Sequence, residues 1–305
     1  MNWLQKQNQQ NQQALFIQEG SHAYSLMDVS EMVQTYSQSF LRQGIQPNDR
    51  IFIYLPGGTQ MAEIILACFE IGATATPISP MLSERERRAV IDKIQPKLII
   101  TNWKYKASFT SYSLPLTPIE ELPDLACGCS SAKNSYKQNS DDIAVIILTS
   151  GTTGIPKAVQ LTYDNFEVSC SNWNNFLQFE PNDQFLCCLP LHHIGGLAVL
   201  IRALMYGFSV NFVNEFQAET VLKTINNNPV TIISLVPTML KRILDLKGGL
   251  KALQSLRWIL LGGGPSPEYL LDICQKSQKY MQFLPHSNSC SYEHLPKFHI
   301  SHGWE

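Results

Sequence analysis

The sequence lacks the features that would indicate a membrane or a nucleic acid as a partner. Its formal net charge is only −2, which gives no reason to expect nucleic acid or an anionic membrane surface. The first twenty residues are rich in Gln and Asn and contain no apolar core of a secretory signal. The apolar stretch 61–78 is interrupted by Glu63 and Glu70, so it predicts a core helix and a strand rather than a transmembrane segment.

The sequence also lacks paired C-x-x-C spacings, so we predict no zinc or other metal site. Cys68 and Cys170 fall in helical patterns and 187–188 in a strand, where a small apolar residue fits. We expect reduced thiols in a cytoplasmic protein. The eight cysteines are Cys68, Cys127, Cys129, Cys170, Cys187, Cys188, Cys274 and Cys290.

Strand and helix patterns alternate along most of the chain. Its 305 residues, 44% hydrophobic and 16% charged, are typical of a soluble globular protein with a sizeable core. The alternation predicts an α/β fold in which parallel sheets are flanked by helices. Ligands of such sheets bind beyond the carboxyl ends of the strands. The strands nearest the candidate site residues are predicted at 143–148, 184–189, 209–213, 231–236 and 258–261.

One run of nine residues, 149–157, combines four hydroxyls, two glycines and a lysine directly after a predicted buried strand. Glycines let backbone N–H groups converge on an anion, hydroxyls donate to phosphate oxygens, and lysine adds a positive charge. The run therefore favours a polyphosphate ligand such as ATP over an ordinary turn. It lacks Walker A spacing. Its residues are Thr149, Ser150, Gly151, Thr152, Thr153, Gly154, Ile155, Pro156 and Lys157.

The same run resembles the phosphate-loop signature S/T-S/T-G-S/T-T-G-x-P-K of the adenylate-forming enzymes, which include acyl-CoA synthetases, luciferases and peptide-synthetase adenylation domains. Residues 189–196 are similar to the P-L-x-H-x-x-G motif of this family, and residues 260–265 to its G-G-x-P segment. The resemblance covers roughly residues 10–285. Segments 190–206, 231–234 and 259–267 most resemble the subfamily of acid–CoA ligases that act on o-succinylbenzoate.

The resemblance implies that ATP and a small-molecule carboxylic acid form an acyl-adenylate, which the thiol of CoA then attacks. The protein would hold two anions together and stabilise charge on the departing pyrophosphate. Lys157 and His193 are the catalytic candidates, and the phosphate run (Thr149, Ser150, Gly151, Thr152, Thr153, Gly154, Lys157) would bind ATP. Gly262, Gly263, Gly264 and Pro265 would form the wall beside adenine, although a glycine triplet after a strand also fits a turn.

Four further residues are candidates for the acyl pocket. His193 matches the histidine of the P-L-x-H motif, whereas a lone histidine would more often be packed in a core. Gly195 and Gly196 would let the backbone approach the substrate. Arg202 would bind a substrate carboxylate through its guanidinium. A surface ion pair is the alternative for Arg202.

The resemblance stops at about residue 285. We assign 1–285 to an incomplete large N-terminal domain of the adenylate-forming fold and 286–305 to a divergent tail, with no small C-terminal domain. Residues 286–294 stand where the family has Y-G-x-T-E, so its glutamate for Mg²⁺ is not found. We hypothesise an out-of-frame or degraded end and expect little turnover from this chain alone. A non-catalytic nucleotide-binding remnant and a ligase for a fatty or aryl acid remain alternatives, and the oligomeric state is open.

Overall fold

The computed structural model describes residues 3–126, 136–149 and 156–264, together with a strand at 280–282. The strands are β1 (Leu15–Glu19), β2 (His22–Ser25), β3 (Arg50–Ile53), β4 (Thr74–Pro77), β5 (Leu98–Thr101), β6 (Leu116–Pro118), β7 (Ile143–Thr149), β8 (Lys157–Thr162), β9 (Gln184–Cys187), β10 (Ser209–Phe212), β11 (Ile232–Leu235), β12 (Trp258–Leu261) and β13 (Tyr280–Gln282). The α-helices are α1 (Trp3–Gln10), α2 (Leu26–Arg42), α3 (Gly58–Ile71), α4 (Glu84–Ile94), α5 (Trp103–Lys106), α6 (Leu122–Ala126), α7 (Tyr163–Leu177), α8 (Ile194–Tyr206), α9 (Ala218–Asn227), α10 (Pro237–Leu244) and α11 (Gly249–Gln254).

These strands form two sheets in which neighbouring strands are mostly parallel, as the sequence predicted. One sheet has the order β13-β12-β11-β9-β10-β1-β2, and the other has the order β6-β5-β3-β4-β7-β8. The antiparallel pairs are the hairpins β1–β2 and β7–β8. The sequence did not predict β8, because its side chains are all at least partly exposed and give a weak burial signal.

Helices pack against apolar side chains on the faces of the two sheets and bury them. In β9, Phe185 and Cys187 join a large core that includes residues of both sheets and of α2, α3, α7 and α8. Leu186 and Cys188, which point to the opposite face, pack in a second core with α9, α10 and α11. A third core joins α4 to the outer face of the six-stranded sheet. The helices therefore flank both sheets.

Glycines end two of the helices, and a capping box begins another. Gly72 follows α3 with φ +73° and Gly207 follows α8 with φ +78°, both in the left-handed region that favours glycine. Ser83 and Glu86 form a reciprocal capping box at the start of α4. Among the described residues, we find no helix with the length and hydropathy needed to span a membrane.

Candidate functional site

A cavity of about 810 Å³ opens where β9, β11 and β12 end. These three strands are neighbours and run parallel, so their carboxyl ends lie at one edge of the seven-stranded sheet. The opposite wall is formed by residues of β8 and α7, the two elements that follow the phosphate run in the sequence. The lining residues are Leu161, Asn165, Phe166, Ser169, Cys170, Trp173, Leu189, Pro190, His193, Ile194, Gly195, Ala198, Arg202, Ser234, Leu235, Val236, Leu260, Gly262 and Gly263.

The cavity brings together residues from two of the three predicted motifs. His193, Gly195 and Arg202 belong to the P-L-x-H loop and the helix after it, whereas Gly262 and Gly263 follow β12. Both motifs therefore line one cavity beyond the carboxyl ends of parallel strands, where ligands of such sheets bind. The physical roles of the five residues stay predictions.

Gly195 and Gly196 occupy different environments although they are neighbours at the start of α8. Gly195 lines the cavity. Gly196 is buried behind it, where an added Cβ would overlap the carbonyl oxygens of Leu189 and Pro190. The close approach at Gly196 is thus between two parts of the protein backbone, which gives this glycine a packing role.

The loop after β12 also has a conformational need for glycine. Gly263 has φ +81°, and an added Cβ would lie 2.8 Å from Cγ1 of Val236. Val236 follows β11, so the two strand ends are closely packed at the cavity edge. Gly264 does not line the cavity, and Pro265 lies outside the described residues.

Arg202 is the buried cation of this cavity. The residue is only 6% exposed. It lies within residues 196–204 of α8, a stretch that is buried throughout. Its Nε has no hydrogen-bond partner, and no carboxylate of the described residues forms an ion pair with it. The alternative of a surface ion pair is therefore wrong.

The surroundings of Arg202 are aromatic and neutral. Its Cζ lies 4.2 Å from the centroid of the Trp173 ring, over the ring face. Burial raises the pKa of the neighbouring Cys170 thiol to about 11, although Arg202 opposes this shift. Burial lowers the pKa of Arg202 to about 10, so the guanidinium is still charged at neutral pH. A charged group in this position is suited to an anion that enters the cavity.

His193 lies at the rim of the cavity as the N-cap residue of α8. The residue is exposed at this rim, so the alternative of a packed core histidine does not hold, although the protein covers part of its ring. The partly buried His192 ring stands 4.5 Å from the His193 ring, centroid to centroid. Burial, together with His193, lowers the pKa of His192 to about 4, and burial lowers the pKa of His193 as well. Both imidazoles are therefore neutral at pH 7.

The phosphate run joins the two strands of the β7–β8 hairpin rather than a strand and a helix. Thr149 ends β7 and pairs with Lys157, which begins β8; both side chains are exposed. Residues 150–155 lie outside the described residues, which leaves Ser150, Gly151, Thr152, Thr153 and Gly154 as predictions. Lys157 does not line the cavity, whereas Leu161 of the same strand does.

Sequence reasoning missed the wall formed by α7. Phe166, Cys170 and Trp173 recur at helical spacing, which reads as an ordinary core-facing stripe. The one available signal was the polar Asn165 and Ser169 beside that stripe, on the face that borders the cavity.

A protein-bound metal has no ligand set among the described residues. No group of three or more His, Cys, Asp or Glu side chains comes together in that part of the chain. We therefore assign no step to a metal held by these side chains.

The model of the AMP-binding enzyme family matches residues 4–279, and the chain belongs to this family. The 2-succinylbenzoate–CoA ligase of Oceanobacillus iheyensis is 31% identical over 272 residues, which span 88% of this chain and 56% of that relative. The chain thus spans little more than half the length of the curated relatives that it matches.

Solved structures from Bacillus subtilis share the fold. The o-succinylbenzoate CoA synthetase in complex with its acyl-adenylate intermediate superposes with a TM-score of 0.82 at 27% identity, over 92% of this chain and 58% of that one. The same synthetase with ATP and magnesium ion gives a TM-score of 0.83 at 26% identity, over 93% and 59% of the two chains. The described fold is therefore that of the N-terminal part of these synthetases.

Proposed function

We propose that this chain provides the ATP-binding and acid-binding part of an AMP-forming acid–CoA ligase, with 2-succinylbenzoate as the acid. In this reaction a carboxylate oxygen attacks the α-phosphorus of ATP and pyrophosphate leaves. The CoA sulfur then attacks the acyl carbon, and AMP leaves. Because the chain spans little more than half of its relatives, the complete reaction is a proposal for this chain.

The observation that carries this proposal is the buried guanidinium of Arg202 inside the cavity. An unpaired buried charge is costly unless a ligand neutralises it, so the cavity is built for an anion. Guanidinium binds carboxylate through two parallel hydrogen bonds. The apolar and aromatic walls formed by Phe166, Leu189 and Ile194 suit the hydrocarbon part of an organic acid.

Two features support ATP as the co-substrate. The phosphate run begins and ends at the β7–β8 hairpin, whose second strand contributes Leu161 to the cavity wall. The glycines after β12 line the same cavity, where a flat base could approach the backbone of Gly262 and Gly263. Mg²⁺ would enter with ATP, and a cytoplasmic location would fit the buried free thiols of Cys68, Cys170, Cys187 and Cys188.

The test is pyrophosphate release by the 305-residue chain with ATP, Mg²⁺ and 2-succinylbenzoate, compared with a Lys157→Ala variant. Release above the variant would support a working ligase active site. ATP binding by calorimetry without pyrophosphate release would instead support the alternative of a nucleotide-binding protein without catalysis. A chain that is folded but binds neither ATP nor the acid would refute both.

A panel of acids separates the two ligase hypotheses. Tighter binding of 2-succinylbenzoate than of a medium-chain fatty acid or benzoate is expected, because only the first acid can use one carboxylate for reaction and another for Arg202. Equal or tighter binding of a monocarboxylic acid would favour the fatty-acid or aryl-acid ligase.

A further inference from the structure

We propose that Trp173 is a positioning residue that holds the guanidinium of Arg202 ready for the second carboxylate of the acid, so that the diacid preference proposed above depends on Trp173. The inference rests on the proposed function, because it refines the class of acid that the cavity accepts. Trp173 comes from α7 and Arg202 from α8, two helices that pack against each other along the cavity.

The buried charge of Arg202 is stabilised in the empty protein by the indole of Trp173. The guanidinium lies over the face of the indole, with Cζ 4.2 Å from the ring centroid, where the negative ring face attracts a cation. The attraction is between the delocalised positive charge and the ring face, and it does not require a hydrogen bond from an N–H donor of Arg202. The Nε donor of Arg202 has no partner. Trp173 thus stabilises the charge while the Nε donor is left for a ligand.

The ionisable groups that interact with Arg202 are the Cys170 thiol and the Tyr206 phenol. The thiol of Cys170 stays protonated at neutral pH because burial raises its pKa to about 11. Burial also raises the pKa of the Tyr206 phenol. Neither group is an anion at pH 7, and no described carboxylate pairs with Arg202. Since no group in the described part of the chain supplies a negative charge to match the guanidinium, we assign that charge to the ligand.

A guanidinium held in this way discriminates between acids by their number of carboxylates. A monocarboxylic acid has only the carboxylate that reacts with ATP, so binding it would leave the guanidinium unpaired in a dry cavity. A diacid presents one carboxylate for reaction and one for Arg202. A site built around a polar partner discriminates strongly against analogues that lack it.

The experiment compares two probes that differ in one carboxylate: 2-succinylbenzoate and 4-oxo-4-phenylbutanoate. Their affinities for the 305-residue chain are measured by titration calorimetry for wild type, Trp173→Leu, Trp173→Phe and Arg202→Met. Phe166→Leu is the matched control, since Phe166 is an aromatic residue of the same helix and the same cavity. Thermal unfolding of each variant shows whether it is folded.

We expect Trp173→Leu to weaken binding of the diacid by about 10- to 30-fold and of the monoacid by no more than about threefold. Trp173→Phe should restore most of the preference because it keeps an aromatic face. Phe166→Leu should change both affinities alike. The double variant Trp173→Leu/Arg202→Met should bind the diacid no more weakly than Arg202→Met alone, because Trp173 acts through Arg202.

Two results would overturn the inference in distinguishable ways. A wild-type chain that binds neither probe, or that does not prefer the diacid, refutes the proposed acid class and the inference together. A wild-type preference that Trp173→Leu leaves intact, or effects of the two substitutions that simply add, refutes the role of Trp173 and leaves the proposed function standing.

Discussion

Arg202 borders an open cavity of about 810 Å³, whereas Glu63 lies in the closed core around α3, and both side chains are at least 94% buried. Neither forms an ion pair with a described residue. Burial, with a contribution from Glu19, raises the pKa of Glu63 to about 7. Burial lowers the pKa of Arg202 only to about 10.

The difference shows two ways in which a fold accommodates a buried ionisable group. Glu63 can lose its charge near neutral pH by binding a proton, so it needs no partner. Arg202 stays charged, so it needs an aromatic face in the empty protein and an anion in the complex. A buried carboxyl is therefore weak support for a ligand site here, and a buried guanidinium beside a cavity is strong support.

The largest effect is expected for Arg202→Met, which removes the charge and keeps a long apolar side chain. Affinity for 2-succinylbenzoate should fall by about 100-fold, since a hydrogen-bonded charge pair contributes about 3 kcal/mol. The free energy of unfolding should stay equal or rise by about 1 kcal/mol, because an unpaired buried charge disappears. Calorimetry and urea unfolding measure the two quantities. Unchanged affinity with lower stability would show that Arg202 is structural.

The second prediction concerns the pH dependence of stability, which Glu63 should affect near neutral pH and Arg202 should not. The folded protein holds the Glu63 proton up to about pH 7, whereas the unfolded chain releases it near pH 4.5. The stability that this proton contributes is complete below pH 4.5 and is lost as the pH rises through 7. Glu63→Gln should therefore match wild type at pH 4.5 and exceed it by about 2 kcal/mol at pH 8.5.

Urea unfolding at both pH values tests this expectation. Glu31→Gln is the control, because Glu31 is an exposed glutamate within α2. A Glu63→Gln variant with the same stability difference from wild type at both pH values would contradict the assignment of a titrating Glu63.

Lys157→Ala extends the comparison to an exposed cation at the end of the phosphate run. We expect ATP affinity to fall about tenfold through loss of one charge on the phosphates. The free energy of unfolding should change by less than about 0.5 kcal/mol, because water already solvates this side chain. Lys223→Ala, at an exposed lysine of α9, should alter neither quantity. Equal ATP affinity for both variants would exclude Lys157 from the phosphate site.

Local sequence signals were enough to predict the elements that frame the cavity. Gly72 and Gly207 mark helix ends because they adopt positive φ, and short runs of mostly apolar residues predict β9, β11 and β12. Parallel pairing then places the loops after these strands at one edge. The position of the cavity at this edge of the sheet can therefore be predicted from the strand order, without knowledge of any side-chain contact.

The contacts that give the cavity its chemistry could not be predicted in this way. The approach of Trp173 to Arg202 depends on the packing of α7 against α8, which no local pattern encodes. The same packing buries Arg202, although the sequence was also compatible with a surface ion pair. The β8 strand was missed because an exposed edge strand shows little apolar alternation.

The smallest expected change in stability concerns His192, a partly buried ionisable group. Its pKa is lowered to about 4 in the folded protein, against a usual value of 6.5. The stability tied to the neutral ring is complete above pH 6.5 and is lost as the pH falls towards 4. This pH range overlaps the range in which Glu63 titrates, and the two groups change the free energy of unfolding in opposite directions as the pH rises. The effect of one group is therefore measured as the difference between wild type and a variant of that group.

His192→Phe keeps an aromatic ring and removes the titration. It should match wild type within about 0.5 kcal/mol at pH 8 and be about 1 kcal/mol more stable at pH 5, as judged by urea unfolding. His22→Phe, at an exposed position of β2, controls for the effect of replacing any histidine. If the His192→Phe difference is the same at both pH values, the ring is not held neutral by burial.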